Sequence, residues 1–123
     1  MKPKPYYESD RWKVIAQTDL PYLPTPNEVI EEIFKFLDCE SYLKECNSLI
    51  DLGAGDGRVI IHATQKYGID SIGLEINKEL IKSVEEKIKD MQRQDSCKIL
   101  ERDLYDYKVS DFDLIFCFVL PSS

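Results

Sequence analysis

The chain has 123 residues, 43% of them hydrophobic, which is enough for one domain with one core and too little for two. Its 16 basic and 23 acidic residues give a net charge of −7, so the surface offers no general help in binding phosphate backbones, whose affinity comes mainly from Lys and Arg. Nucleic acid is therefore disfavoured as a partner, whereas a basic target such as a lysine-rich protein would be attracted.

The N-terminal residues 1–20 are predicted to form an arm, packed by its aromatic side chains or partly disordered, because prolines and aromatics occur there without periodicity. Residues 21–123 are predicted to form the single domain. The first ten residues contain no apolar core of a signal sequence, and the longest apolar run, Leu114 to Leu120, is far too short to span a bilayer. The sequence therefore predicts a cytoplasmic protein without a membrane partner.

Two residue types limit the chemistry. The 4 cysteines have no C-x-x-C spacing, which favours reduced thiols over disulfides or a zinc site. His62 is the single histidine, so neither a histidine-based metal cluster nor a Ser-His-Asp triad can be assembled. No metal site is predicted.

The first helix has a well-marked start. Thr25 is a good N-cap, Pro26 would occupy the first helical position, and Glu28 lies three residues after the cap, which together make a capping box. The core-facing side follows at helical spacing. It comprises Val29, Ile30, Ile33, Phe34 and Leu37.

A βαβ unit is predicted between Ser48 and Asn77. A short apolar strand leads into a glycine-rich loop and an amphipathic helix that ends at Gly68, and a second strand then ends on Glu75. Only residues without a Cβ allow both positive φ angles and close approach of a ligand to the backbone. The loop provides three of them at alternate positions, Gly53, Gly55 and Gly57.

Two carboxylates suggest what this loop binds. At the end of the second strand, Glu75 could accept hydrogen bonds from the ribose hydroxyls of an adenosine. The glycines are spaced G-x-G-x-G instead of the dinucleotide pattern G-x-G-x-x-G, which leaves little support for a nicotinamide-dependent oxidoreductase. Asp51 precedes the first glycine by two positions, and a carboxylate there would repel a pyrophosphate but suit a ligand carrying an ammonium and a sulfonium.

The remaining elements complete the predicted fold. Asn77 is expected to cap a helix from Lys78 to about Arg93, and a third strand follows from Cys97 to Glu101. A nearly all-apolar fourth strand, Phe112 to Leu120, is expected beside the first, covered by helices on both faces. The prediction is an α/β, Rossmann-like parallel sheet of order 3-2-1-4 with flanking helices and a ligand crevice between the first and fourth strands.

The string DLGAGDG followed by LEIN resembles the first two motifs of the seven-stranded, class I S-adenosylmethionine-dependent methyltransferases. The wider match, from YLPTPNEVI to FCFVLPSS, is similar to the small archaeal protein-lysine methyltransferases and their mitochondrial relatives, and covers Pro21 to the last residue. The resemblance implies S-adenosylmethionine as cofactor and a basic protein as substrate. The fourth strand lacks the Asp/Asn-Pro-Pro-aromatic turn of adenine and amide methyltransferases, so a base or a glutamine is disfavoured as substrate.

The resemblance also implies a set of cofactor contacts. Asp103 would bind the exocyclic amine of adenine and Leu104 the ring edge, while Tyr22 and Thr25 would lie near the methionine end. A surface loop at Asp103 and a pure helix cap at Thr25 stay open as alternatives. The other implied contacts are Asp51, Gly53, Ala54, Gly55, Gly57, Glu75, Ile76 and Phe118. No catalytic residue is identified, since desolvation and an adjacent sulfonium would both help a substrate lysine lose its proton.

In this family three further strands follow the fourth, so the resemblance implies an incomplete domain. The strand Phe112 to Leu120 would then be a sheet edge, which predicts pairing with a second copy or a partner chain, or a fragment of a longer gene product. The alternative function is a truncated, non-catalytic cofactor-binding or interaction module that needs a partner chain to complete its sheet.

Overall fold

The computed structural model describes residues 25–103, 105 and 107–117, together with the backbone of 5–6, 14–17 and 118. Of the predicted site residues, Tyr22 and Leu104 lie outside the described residues, as does the side chain of Phe118. The elements are β1 (Pro5–Tyr6), β2 (Val14–Gln17), α1 (Asn27–Cys39), a 3₁₀ turn (Tyr42–Glu45), β3 (Ser48–Leu52), α2 (Arg58–Tyr67), β4 (Asp70–Glu75), α3 (Lys78–Asp90), β5 (Cys97–Glu101) and β6 (Leu114–Phe118).

The strands form one six-stranded sheet in the order β1-β2-β6-β3-β4-β5. The pairs β3–β4, β4–β5, β3–β6 and β2–β6 are parallel, and β1 is antiparallel to β2. Ile50 at the centre of β3 pairs with Ile72 on one side and Ile115 on the other. The predicted order 3-2-1-4 is confirmed as β5-β4-β3-β6.

The prediction that the fourth strand is a sheet edge is wrong. β2 pairs in parallel with β6 from Val14↔Ile115 to Gln17↔Phe118, so β6 has a neighbour on each side. The sequence did not indicate these N-terminal strands, because a pairing between residues about a hundred positions apart leaves no local pattern. The open edge that motivated a dimer or partner chain through Phe112 to Leu120 is therefore filled by this chain's own β2.

The capping box at the start of the first helix is also wrong. Pro26 has φ −58° and ψ 144°, outside the helical region, so it precedes α1 instead of opening it, and no side chain in the described part of the chain caps that end. The first turn is closed by the Pro26 carbonyl, which accepts from Val29 N at 3.0 Å and Ile30 N at 3.2 Å. With the helix starting one residue later than predicted, Thr25 is too far back to act as its N-cap.

The predicted caps around the βαβ unit are correct. Gly68 ends α2 with φ 67°, and its N–H donates to the carbonyls of Ala63 and Thr64. Asn77 caps α3 by accepting from Glu79 N at 3.0 Å and Leu80 N at 3.2 Å. The helix ends earlier than predicted, at Asp90, because the chain turns through Gln92 at φ 56°.

All three α-helices share one core with one face of the sheet. Phe34 of α1, fully buried, stacks on Phe116 of β6 with a ring separation of 5.4 Å. The opposite face carries a smaller cluster around Ile50, Leu74 and Ile115. Its cover includes Tyr107, Val109 and Phe112, which lie in no α-helix, so in the described part of the chain the prediction of helices on both faces does not hold. An apolar strand face requires apolar cover, and an irregular segment provides some of it here.

Candidate functional site

The glycine loop turns the chain from β3 into α2 at the carboxyl end of the sheet. All three predicted glycines have positive φ, 82° at Gly53, 59° at Gly55 and 78° at Gly57. The N–H groups of Gly53 and Ala54 both donate to the Leu74 carbonyl, at 2.9 and 2.8 Å. The loop is thereby anchored on the neighbouring strand β4 instead of projecting freely.

The glycines have different roles in space. A Cβ at Gly57 would meet Val84 Cγ1 at 2.8 Å, so this glycine allows α2 and α3 to pack closely. At Gly53 no described atom lies within 4 Å of the position a Cβ would take, and only the positive φ opposes a side chain. The backbone at Gly53 therefore borders open space, where a ligand could approach it closely.

A fourth glycine, which sequence reasoning did not connect with the site, lies under the loop. A Cβ at Gly73 would approach Ala54 Cβ to 2.6 Å and Ile60 Cδ1 to 3.1 Å. Gly73 therefore lets the loop rest directly on β4. A glycine between two apolar residues of the strand, Ile72 and Leu74, was the available signal, since such a residue often marks close backbone approach.

Glu75 ends β4, as predicted, and its carboxylate reaches the glycine loop, where it already has partners. Oε1 accepts from Gly55 N at 2.8 Å, and Oε2 accepts from Ile76 N at 3.0 Å and Asn77 N at 2.9 Å. An ionised carboxylate offers about four acceptor positions, so three donors leave little spare capacity. Sequence reasoning missed that Glu75 holds the loop in place.

Asp51 is the least satisfied polar group of the site. Its side chain is only 1% exposed, and its Oδ1 is buried without a hydrogen-bond partner among the described residues. Burial, followed by the charges of Glu75 and then Asp56, raises the pKa of Asp51 to about 7. A buried carboxylate without a partner is costly, and a cation placed beside it would offset that cost.

The other predicted contacts lie along the same edge of the sheet. Ile76, 69% exposed, follows Glu75 directly, which places an exposed apolar side chain just beyond the end of β4. The exposed Asp103 follows β5, and its Oδ1 accepts from Tyr105 N at 3.0 Å. The parallel register, in which Glu75 pairs with Glu101, brings the ends of β4 and β5 together. Phe118 ends β6, one residue beyond the pair Leu52↔Cys117.

Thr25 is brought to the loop by a residue that sequence reasoning missed. Arg58 Nη1 donates to the Thr25 carbonyl at 3.0 Å, while Arg58 Nε donates to Asp56 Oδ2 at 2.7 Å. The Asp56 side chain also accepts from Arg58 N at 3.3 Å. Only the contact with Asp56 had a local signal, because an aspartate two residues before the first helical residue commonly accepts from its N–H.

His62 lies in the core away from this edge of the sheet, whereas Cys117 lies at the edge, paired with Leu52 at the end of β3. His62 Nε2 is buried without a partner among the described residues, beside the rings of Phe34 at 5.0 Å and Tyr67 at 5.7 Å. Burial lowers the pKa of His62. The four cysteines, Cys39, Cys46, Cys97 and Cys117, are free. In the described ranges no three His, Cys, Asp or Glu residues are arranged to hold a metal ion.

Comparison with known proteins gives consistent results. Residues 51–123, more than half of the chain, match the family model described as the ANTKMT methyltransferase domain. A protein-lysine N-methyltransferase of Saccharolobus islandicus is 26% identical over 104 residues, which are 84% of this chain and 62% of the relative. A human lysine N-methyltransferase named for its ATP synthase target is 39% identical over 62 residues, 50% of this chain and 24% of that protein.

The fold has similar solved structures. An RNA methyltransferase from Salinibacter ruber in complex with S-adenosyl-L-homocysteine superposes with a TM-score of 0.70 at 29% identity, covering 80% of this chain and 62% of that one. The chain thus spans less than two thirds of the length of each of these three proteins. Within the described residues, no helix is both long and apolar enough to cross a bilayer.

Proposed function

The chain belongs to the family of the ANTKMT methyltransferase domain, and we propose that it binds S-adenosylmethionine and transfers the methyl group to lysine side chains of basic proteins. The motif resemblance found in the sequence and the family match support this together. The protein-lysine activity is proposed from the relatives, of which this chain covers only part. When bound, S-adenosylmethionine supplies an activated methyl group.

The observation that carries the proposal is the buried, unpartnered Oδ1 of Asp51 beneath a glycine loop whose Gly53 backbone borders open space. S-Adenosylmethionine has an ammonium and a sulfonium, and either would give this carboxylate the countercharge it lacks. An anionic dinucleotide would instead add a repulsion to Asp51, Asp56 and Glu75. The residues present therefore fit the cationic cofactor better than a pyrophosphate.

The remaining contacts are proposed along the crevice. Glu75 would accept from the ribose hydroxyls, either with its spare acceptor position or by giving up the bond from Gly55 N. The exposed Ile76 offers an apolar surface for the adenine ring, and Asp103 and Leu104 would bind its edge. Four residues are proposed to contact the methionine end of the cofactor: Tyr22, Thr25, Ala54 and Phe118. The glycines Gly53, Gly55 and Gly57 would let the cofactor approach the backbone closely.

The proposed catalysis depends on placement more than on a general base. A substrate amine must lie about 3 to 3.5 Å from the methyl group and in line with its bond. Lysine has a pKa near 10.4 in water, and exclusion of water together with a neighbouring positive charge would lower it. The net charge of −7 favours approach of a basic protein. We therefore assign no catalytic acid or base to the chain.

The test is transfer of a radiolabelled methyl group from S-adenosylmethionine to a lysine-rich protein, with RNA as the competing substrate. We expect label on the protein and none on RNA. Asp51→Asn should reduce cofactor affinity by about tenfold or more, the loss for one charged contact, whereas Asp113→Asn at the opposite end of the sheet should leave it unchanged. Label on RNA alone would contradict the lysine assignment.

Two other results would favour the alternative functions. Cofactor binding without transfer to any basic protein would favour the alternative of a non-catalytic cofactor-binding module. Tighter binding of NAD than of S-adenosylmethionine would instead favour an oxidoreductase. The cytoplasmic location predicted from the sequence remains a prediction, which cell fractionation checks.

A further inference from the structure

Arg58, the first residue of α2, connects two parts of the chain that lie 33 positions apart. Its Nε donates to Asp56 Oδ2 at 2.7 Å, and its Nη1 donates to the Thr25 carbonyl at 3.0 Å. The guanidinium is planar and holds these donors at a fixed spacing. The glycine loop and the segment that enters α1 are therefore bound to the same rigid group.

Asp56 fixes the direction in which Arg58 extends. Its Oδ1 accepts from Arg58 N at 3.3 Å while its Oδ2 accepts from Arg58 Nε, so both carboxylate oxygens are used on one residue. Both side chains are partly buried, with 33% of Arg58 and 27% of Asp56 exposed. This arrangement restricts the side chain of Arg58 before any ligand binds.

The contact extends to the ribose end of the crevice. Gly55, next to Asp56, donates its N–H to Glu75 Oε1 at 2.8 Å. A continuous path of hydrogen bonds and backbone thus runs from Glu75 through Gly55 and Asp56 to Arg58 and Thr25. Movement of the Thr25 segment would be transmitted to the loop that borders the crevice.

Stability alone does not account for this arrangement. An ion pair with about a third of each side chain exposed contributes little to folding. The start of α1 is already held by the buried Ile30 and Phe34, which pack in the main core. Arg58 instead binds Thr25, a half-buried, non-helical residue that is not part of that core cluster.

We propose that Arg58 is a positioning residue that holds the Thr25 segment against the glycine loop and so fixes one wall of the cofactor crevice. This rests on the proposed function of the crevice. Without the guanidinium the segment must be ordered when the ligand binds, and that ordering lowers the affinity. The effect appears in the dissociation constant of the ligand and in KM for S-adenosylmethionine, with a smaller change in kcat.

The test compares Arg58→Ala and Arg58→Lys with Lys66→Ala, which removes an exposed cation from the last turn of the same helix. Amide hydrogen exchange of the ligand-free proteins follows the peptide that covers residues 25–30. Calorimetry gives the dissociation constant of S-adenosylhomocysteine. Arg58→Ala should accelerate exchange in that peptide and weaken binding about tenfold. Arg58→Lys should restore part of both, and Lys66→Ala should change neither.

The outcomes separate this inference from the proposed function. Unchanged exchange at residues 25–30 in Arg58→Ala would overturn the inference whether or not any ligand binds. Faster exchange with unchanged affinity would reduce Arg58 to a structural contact and also overturn it. Failure of the unaltered protein to bind S-adenosylhomocysteine would overturn the proposed function, and with it the role of the wall. If Arg58→Ala does not fold, Asp56→Asn removes the same ion pair and should give the same two changes, more weakly.

Discussion

Two aspartates at opposite ends of the strand pair β3–β6 differ in their hydrogen bonding. At the amino end, Asp113 Oδ2 accepts from Asn47 N at 2.8 Å, from Ser48 N at 3.2 Å and from Ser48 Oγ at 3.5 Å. Toward the carboxyl end of the same pair of strands, Asp51 is more deeply buried and its Oδ1 has no partner among the described residues. Asp113 therefore finds its hydrogen-bond donors within the chain, whereas Asp51 Oδ1 could be paired by a bound ligand.

The difference indicates that Asp113 stabilises the fold, whereas Asp51 belongs to a ligand site. Asp113 joins β3 to β6 by a reciprocal contact, since Ser48 Oγ also accepts from Asp113 N at 3.2 Å. Among the described residues the buried Oδ1 of Asp51 makes no such connection, and ionising this carboxyl places a charge in the core. A polar group that costs stability where it lies, at the end of the sheet that binds ligands in this fold class, is best understood as part of a site.

The largest expected effect on folding is at the satisfied end. Asp113→Ala leaves two backbone N–H groups of the β3 start without their acceptor, so the free energy of unfolding should fall by about 2 to 3 kcal/mol. Asp113→Asn keeps an acceptor oxygen and should lose about 1 kcal/mol or less. Urea denaturation measures both. Equal losses in the two variants would show that the hydrogen bonds are not what joins these strands.

Two glycines of the loop should respond differently to replacement by alanine. In Gly57→Ala the new residue would have to keep φ 78°, and its Cβ would lie 2.8 Å from Val84 Cγ1. We therefore expect the free energy of unfolding to fall by about 2 kcal/mol or more. Gly53→Ala has only the conformational cost, about 1 to 2 kcal/mol, since its Cβ would enter open space. Cofactor affinity should nevertheless fall in Gly53→Ala, because the Cβ would occupy the crevice. Thermal melting and ligand titration of both variants test this, and a Gly53→Ala protein that binds normally would contradict it.

Asp51 should make the stability of the protein depend on pH. Its pKa is raised from 3.8 to about 7 in the folded protein, so between these values the unfolded chain releases a proton that the folded chain retains. This residue therefore makes stability fall as pH rises from about 4 to 7, by up to a few kcal/mol. Asp51→Asn should remove that fall and be the more stable protein at pH 8. Parallel stability curves for the two proteins would contradict the buried, uncompensated charge.

The smallest expected effect on stability comes from His62. Its contribution changes with pH in the direction opposite to that of Asp51. Burial lowers the pKa of His62 below 6.5, so the unfolded chain binds the proton first and stability falls as pH drops through that region. His62→Phe keeps a ring beside Phe34 and Tyr67 but has no group to protonate, so it should lose less stability between pH 7 and 5 than the unaltered protein. Because Asp51 acts in the same range with opposite sign, Asp51→Asn is the background in which to measure it. An unchanged slope would show that His62 is hydrated.

Local patterns predicted the central half of the fold well. The strand, the glycine loop, Gly68, Asn77 and the position of Glu75 each depend on neighbours within a turn or two along the chain, and all are confirmed. The strand order followed from topological rules for parallel sheets. These are the features that local sequence and general chirality determine.

The errors and omissions arise from contacts between distant residues. The pairing of β2 with β6 and the bond from Arg58 to Thr25 join segments far apart in sequence, so no local periodicity reports them. The capping box failed because Pro26 is compatible with two conformations, one opening the helix and one preceding it, and the chain adopts the second. That three backbone N–H groups already bind Glu75 was equally invisible, since it depends on the folded shape of the loop.

Pairing between Asp51 and a cation of the cofactor can be tested by a calorimetric titration of the protein with S-adenosylmethionine. The titration is made at pH 6.5 in two buffers of different ionisation enthalpy. If a cation of the ligand pairs with Asp51, binding should release part of one proton at this pH and almost none at pH 9, and Asp51→Asn should bind more weakly and release none. Binding without proton release, or equal affinity and proton release in Asp51→Asn, would contradict the claim that this buried carboxylate receives the positive charge of the cofactor.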